Sequence, residues 1–336
     1  MHRTALLLSL LGCGRDHFDP PHNIAFVTQA LHAPLSFGSD LSGADAICAA
    51  AASDGGLPGT YVAYLWTQAT PAVDRLSSWR GWVRVDGKPF VDRPEYIEGG
   101  GILYPLRIDE LGEDIGAAPI AIGTTAPSAG DCGDWTTPGI NFTCSYSHAS
   151  VWGYDASCLQ SCSAQFHVAC FETTFTAPLE ITPVAGRRAF VTVQDFVAGG
   201  GLPAADTQCM TEANLAGLSG EYRALLATTT ATAISRFDLS GPPWVRVDGV
   251  RVAAPLALAA GDLEAPPSLT ALGTGRDVEV MGGGLPGQVA LSDCSDWTAT
   301  TGNAARVGMS DRAGPDAFDN GSIDSTCAGP IYCLEK

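Results

Sequence analysis

Lysine is nearly missing. Lys88 and Lys336 are the only two in 336 residues, and 18 Lys and Arg together face 36 Asp and Glu, for a net charge of −18. With no basic stripe to neutralise phosphates, no nucleic-acid partner is expected, and charge gives the chain no hold on an anionic membrane. Histidine is confined to positions 2, 17, 22, 32, 148 and 167. The second half therefore has none of the imidazole that a Ser-His-Asp or Cys-His arrangement requires. CxxC pairs are absent, and the glycine runs "EGGGILY", "AGGGLPA" and "MGGGLPG" lack the Lys-Ser/Thr of a phosphate cradle. Long apolar runs are missing too: Val252–Ala260 contains Pro255 and is flanked by Arg251 and Asp262, so no membrane span is expected.

What is present begins with a leader. Arg3, the apolar run Ala5–Leu11 and the tetrapeptide Leu10-Leu11-Gly12-Cys13 resemble a bacterial lipoprotein signal, in which the cysteine becomes the lipidated first residue. The expectation is a signal peptide at 1–12, lipidation at Cys13 and a tether over 13–23. Gly14 and Arg15 lack the aspartate that retains such proteins at the inner membrane, which favours the outer membrane or cell surface. Ten of the eleven cysteines then remain: 48, 132, 144, 158, 162 and 170, followed by 209, 294, 327 and 333. An even number in each half reads as a disulfide framework in an oxidising compartment.

The chain is also a duplication. "WVRVDG" stands at 82–87 and again at 244–249. "AFVTQALH" (25–32) answers "AFVTVQDF" (189–196), "CGDWT" (132–136) answers "CSDWT" (294–298), and "ACFE" (169–172) answers "YCLE" (332–335). Cysteine offsets of 161 (48 to 209), 162 (132 to 294) and 163 (170 to 333) describe one fold copied with few insertions. The copies occupy 24–172 and 188–336, joined by a linker over 173–187. At 46% hydrophobic residues, each is long enough to bury its own core.

Within each copy the pattern predicts a short opening strand and an Ala-rich helix. Ser42 and Asp45 would form a capping box at its start, and Gly55-Gly56 would stop it. A hairpin turning at Asp-Gly follows, then loops, the Cys-x-Asp-Trp segment and a closing strand. Trp82, Trp244, Trp135 and Trp297 recur beside apolar strands and are expected in the core. Arg84 and Arg246 are expected to pair with nearby carboxylates. The fold class is α+β: loop-rich, with short antiparallel sheets, one main helix per copy and disulfide staples.

A helix cysteine, a closing-strand cysteine and an inner pair between them resemble the plan of the C-type lectin-like fold. The order Ala-Phe-Val-Thr, Gly-x-x-Gly-x-Tyr, Val-Arg-Val-Asp-Gly, Cys-x-Asp-Trp, Tyr-Cys is similar to a family of bacterial secreted lipoproteins. That family is known only as a domain of unknown function linked to the lectin-like and endostatin-like folds. The resemblance implies two tandem lectin-like domains with Cys48–Cys170, Cys209–Cys333 and Cys294–Cys327. In the first copy it implies Cys132–Cys162 with Cys144–Cys158, while Cys132–Cys158 with Cys144–Cys162 stays open. The Glu-Pro-Asn and Trp-Asn-Asp motifs of calcium-dependent lectins do not occur.

Candidate ligand residues lie where the copies differ. Trp66, Trp79 and Trp152 belong to the first copy alone and are candidates for stacking on a ligand. Asp311, Asp316, Asp319, Asn320 and Asp324 offer oxygens for a hard cation, calcium being the cofactor such a loop would take. Asp109, Glu110, Glu113 and Asp114 supply paired carboxylates of the glycosidase kind. The expected function is that of an exported, lipid-anchored binding or adhesion protein, not an enzyme. Its ligand would be an extracellular glycan or protein, with calcium-dependent carbohydrate binding as the alternative and a structural envelope role or hydrolysis behind it.

Overall fold

The computed structural model describes residues 21–123, 132–138, 141–152, 158–301 and 303–336. Cys13 and the apolar leader lie outside them. The described residues are mixed α+β, with several small sheets, few helices and five disulfides among them. No helix among the described residues is long and apolar enough to cross a membrane.

Both copies begin with the same three-strand arrangement. Asn23–Val27 is apolar and almost wholly buried, and it lies between two partners. It pairs antiparallel with the closing strand His167–Glu172 and parallel with Trp82–Arg84. In the second copy Arg187–Val191 does the same with Tyr332–Glu335 and Trp244–Val245. Phe26 faces Cys170 as Phe190 faces Cys333, so the register is common to both. Tyr61–Ala63 and Tyr222–Ala224 flank the closing strands on their other side. The sheets are thus mixed and not purely antiparallel. The long connection after the opening strand carries the main helix, and such a crossover is what a parallel pairing requires. In the first copy Pro119–Ala121 adds a second parallel pairing and makes one eight-stranded sheet. In the second only an isolated Met281–Ile331 bridge does so, and the sheet divides.

The main helices are Ser42–Asp54 and Gly201–Leu215. Ala44, Cys48, Ala51 and Ala52 repeat at helical spacing, face inward and bring Cys48 onto the closing strand. The expected capping box does not form. Asp40 instead accepts from the Ser42 N–H and hydroxyl, while Asp45 turns away to accept from Ala63 N and pair with Arg75 at 2.8 Å. Asp206, Ala224 and Arg236 repeat this strap from helix to strand.

The disulfides are Cys48–Cys170, Cys132–Cys162, Cys144–Cys158, Cys209–Cys333 and Cys294–Cys327. Trp82 and Trp244 are fully buried and donate to the carbonyls of Glu172 and Glu335, which ties the hairpin to the closing strand. The hairpins turn at Gly87 and Gly249, both in the left-handed region. Arg84 and Arg246, 3% exposed, pair with Asp86 and Asp248 two residues on. In the Cys-x-Asp-Trp segments four consecutive residues have φ between 51° and 64°, a single left-handed turn in each copy. The disulfide holds one end of that turn. The buried tryptophan holds the other, donating to Trp66 O or Ala227 O.

Candidate functional site

The two copies meet through equivalent residues. Ser147 Oγ donates to Gly116 O and accepts from Ala118 N, and Ser310 Oγ does the same with Arg276 O and Val278 N. Two residues on from these anchors, Ala149 bridges Arg312 antiparallel. Ser150 N donates to Asp311 O and Ala313 N to His148 O, both at 2.8 Å, each bond the image of the other. The seam is therefore locally two-fold, an isologous contact inside one chain. Further along it Leu103, Tyr104, Val250 and Ala265 form a small apolar cluster. Around that cluster the Tyr104 hydroxyl accepts from Arg251 N, and Glu264 holds Lys88 at 3.0 Å and Arg251 at 2.8 Å.

Two clefts flank the Ala149–Arg312 bridge and occupy equivalent places. One, of about 350 Å³, is lined by Arg107, Asp114, Gly261, Asp262 and Gly314 among others. Arg107 crosses it, pairing with Asp114 at 2.8 Å and Asp262 at 3.3 Å and donating to Leu263 O. That ion triad ties the walls together.

The opposite cleft is the larger, at about 520 Å³. Its residues correspond through shared backbone bonds. Arg276 N donates to Ser268 O as Ile115 N does to Arg107 O, so Ser268 stands where the other cleft has Arg107. Leu269 bridges Gly275 as Ile108 bridges Asp114, which sets Gly275 against Asp114. Gly101 N donates to Tyr96 O as Asp262 N does to Ala257 O, which sets Gly101 against Asp262. All three charges of the triad are thus replaced, by one hydroxyl and two glycines.

What lines the open cleft is polar and unmatched. Ser150 is 1% exposed and Ser268 4%, yet neither hydroxyl has a partner among the described residues. Leaving a buried hydroxyl unpaired costs about 1–3 kcal/mol. Glu98 is half-buried and accepts from the Tyr64 hydroxyl at 2.8 Å. Burial pushes its carboxyl up, with Asp74 adding to the effect while hydrogen bonds from Tyr64 and Trp66 oppose it. No cation pairs with Glu98 among the described residues. On the other wall Arg276 donates to Thr192 O and Val193 O, at 2.5 and 2.7 Å, and pairs with no carboxylate there.

Of the three unmatched tryptophans, Trp66 reaches the site indirectly, through Glu98. Trp79 is half-buried against the same core. Trp152 presents no face to a ligand: it is fully buried among Tyr64, Phe90 and Phe171. The acidic loop does not converge either. Asp311 is buried beside Arg312, Asp316 takes His148 Nε2 across the seam at 3.2 Å, and Asp319 holds Arg306. Asn320 and Asp324 accept from backbone N–H groups of their own turns. The described residues hold no group of three or more His, Cys, Asp or Glu able to bind a metal ion. Asp311, Asp316, Asp319, Asn320 and Asp324 are thus engaged separately in this structure.

The carboxylates at 109–114 are engaged separately as well. Asp109 Oδ1 accepts from Leu111 N and Glu113 N and shapes the turn. Glu110 accepts from Gln29 N, and Asp114 belongs to the ion triad. Sequence reasoning missed Glu98, Ser150, Ser268 and Arg276. Their signal is a difference between aligned copies, Arg107 against Ser268 above all, and seeing it needs an alignment carried through the loops. The chain matches no protein-family model, and no curated protein matches it.

Proposed function

We propose that this is an exported, lipid-anchored binding protein, not an enzyme, built from two lectin-like modules whose open seam cleft takes the ligand. Several features support the lectin-like reading. Opening and closing strands lie side by side, the main helix is stapled to the closing strand by a long-range disulfide, and an inner disulfide follows the Cys-x-Asp-Trp turn. Five disulfides accord with export, and Cys13 is the site of the proposed anchor at the outer membrane or cell surface. The observation that carries the binding function is the asymmetry of the seam. One cleft of about 350 Å³ is spanned by an ion triad, while its equivalent of about 520 Å³ has no ion pair across it and two buried hydroxyls unpaired among the described residues. Cleft volumes of about 300–1,000 Å³ with a few convergent polar groups are typical of ligand sites.

The test is a screen of glycans, proteins and small metabolites against the whole protein, with and without millimolar calcium. It is repeated on Ser268→Arg/Gly275→Asp, which transplants the sealing pair. Gly275 admits a side chain, since a Cβ there meets nothing nearer than Gly100 O at 4.0 Å. Calcium-independent capture by the wild type and its loss in the double variant is the expected result. Ligands that bind the sealed variant equally well would remove the cleft from the account.

A further inference from the structure

We infer that the open cleft recognises a small zwitterion carrying a free ammonium and a free carboxylate, an amino acid or short peptide. The inference rests on the reading of this cleft as the binding site and names its ligand class. The first copy contributes a carboxylate, Glu98, and the second a guanidinium, Arg276, beside the exposed Asp277. Glu98 stands on the wall from the first copy, held by the Tyr64 hydroxyl and without a cationic partner among the described residues. Arg276 stands on the wall from the second, its guanidinium fixed by the carbonyls of Thr192 and Val193 and without an anionic partner among the described residues. The two do not pair with each other, although an ion pair joins the walls in the equivalent cleft.

Opposite charges held apart in one cleft define the ligand by exclusion. An apolar molecule filling the space would strip water from both charges and return nothing to either, and a neutral polar one would return hydrogen bonds without an opposite charge. A simple anion satisfies Arg276 but meets Glu98 and Asp277, and a simple cation satisfies Glu98 and Asp277 but meets Arg276 and leaves it without an anion. A zwitterion places its ammonium toward Glu98 and its carboxylate toward Arg276, where two guanidinium nitrogens remain to form charge-assisted hydrogen bonds. Ser150 and Ser268 line the same cleft, and their buried hydroxyls, able both to donate and to accept, have no partner among the described residues. Gly99, Gly100 and Gly275 leave room for the ligand's side chain.

The test is calorimetric titration of the whole protein with the twenty free amino acids and a set of dipeptides. Their N-acetyl and C-amide derivatives form two further arms, and glucose and galactose a third. At least one free zwitterion is expected to bind, with both blocked forms weaker by about tenfold or more, as loss of a charged hydrogen bond implies. Arg276→Gln should then lower affinity for the free form about tenfold while leaving the amide unchanged. Glu98→Gln should do the same with respect to the N-acetyl form. This pairing of variant with derivative separates recognition from loss of folding. A sugar or other neutral ligand captured by the wild type and lost in Ser268→Arg/Gly275→Asp would overturn the zwitterion and keep the cleft. No ligand sensitive to that double variant would overturn both. A zwitterion that binds equally to Arg276→Gln and Glu98→Gln would overturn this inference as well.

Discussion

At the scale of single residues, the second position of the Cys-x-Asp-Trp turn shows how backbone conformation constrains this chain. Gly133 has φ 58° and Ser295, its counterpart, φ 57°. A side chain in the left-handed region costs roughly 1–2 kcal/mol, which glycine avoids. Gly133→Ala should therefore destabilise the protein by about 1 kcal/mol or more, the new Cβ also lying 2.7 Å from Thr137 Oγ1. Ser295→Gly should gain a smaller amount, glycine's extra chain entropy offsetting part of the relief. Denaturant midpoints of the two variants check both signs.

Glu98 offers a second residue-scale prediction. Burial raises its folded carboxyl above the ordinary glutamate value, so the folded state holds the proton more tightly than the unfolded one. Its contribution to stability is greatest below the unfolded pKa and is lost as pH rises through the folded pKa. Glu98→Gln should melt at a higher temperature than the wild type at neutral pH, with the gap closing below about pH 4, where the unfolded-state carboxyl is protonated too. An unchanged gap across that range would contradict the assignment. The buried tryptophans and the Arg84–Asp86 and Arg246–Asp248 pairs were legible from the repeat. Glu98 was not, because an isolated glutamate before a glycine run carries no local signal of burial.

Among the elements, the helices, the Asp-Gly hairpins and the closing strands could be read from periodicity and turn chemistry. Their connections could not. Asp45 matched a capping pattern, but its carboxylate is worth more as a strap to Arg75 and the Ala63 backbone, and Asp40 was free to take the helix start. The parallel pairings depend on how a long crossover packs, which strand patterns do not encode. Disulfides hold these loop-rich elements together. Cys209–Cys333 spans 124 residues and Cys294–Cys327 spans 33. Loop entropy predicts losses of about 5 and about 4 kcal/mol when each pair is changed to alanine. Urea unfolding of the two double variants measures this, and a loss below about 1 kcal/mol for either would show that unfolded-state entropy is not what that bridge controls.

The whole molecule differs from the sum of its copies at the seam. The two copies pair through equivalent residues, and the two clefts beside that pairing are lined differently. Retaining Arg107, Asp114 and Asp262 on one side favours cohesion. Ser268, Gly275 and Gly101 on the other leave that cleft without an ion pair across it, as a proposed binding site would require. None of this was legible in either copy alone, since the clefts exist only where the copies meet. The central claim is that the ligand occupies the open cleft and not its sealed image. Amide chemical-shift mapping during ligand titration tests it most directly. Shifts confined to Gly99, Gly100, Ser150, Gly275 and Arg276 are the predicted result, and shifts at Gly261, Asp262 and Gly314 or in the 311–324 loop would contradict it.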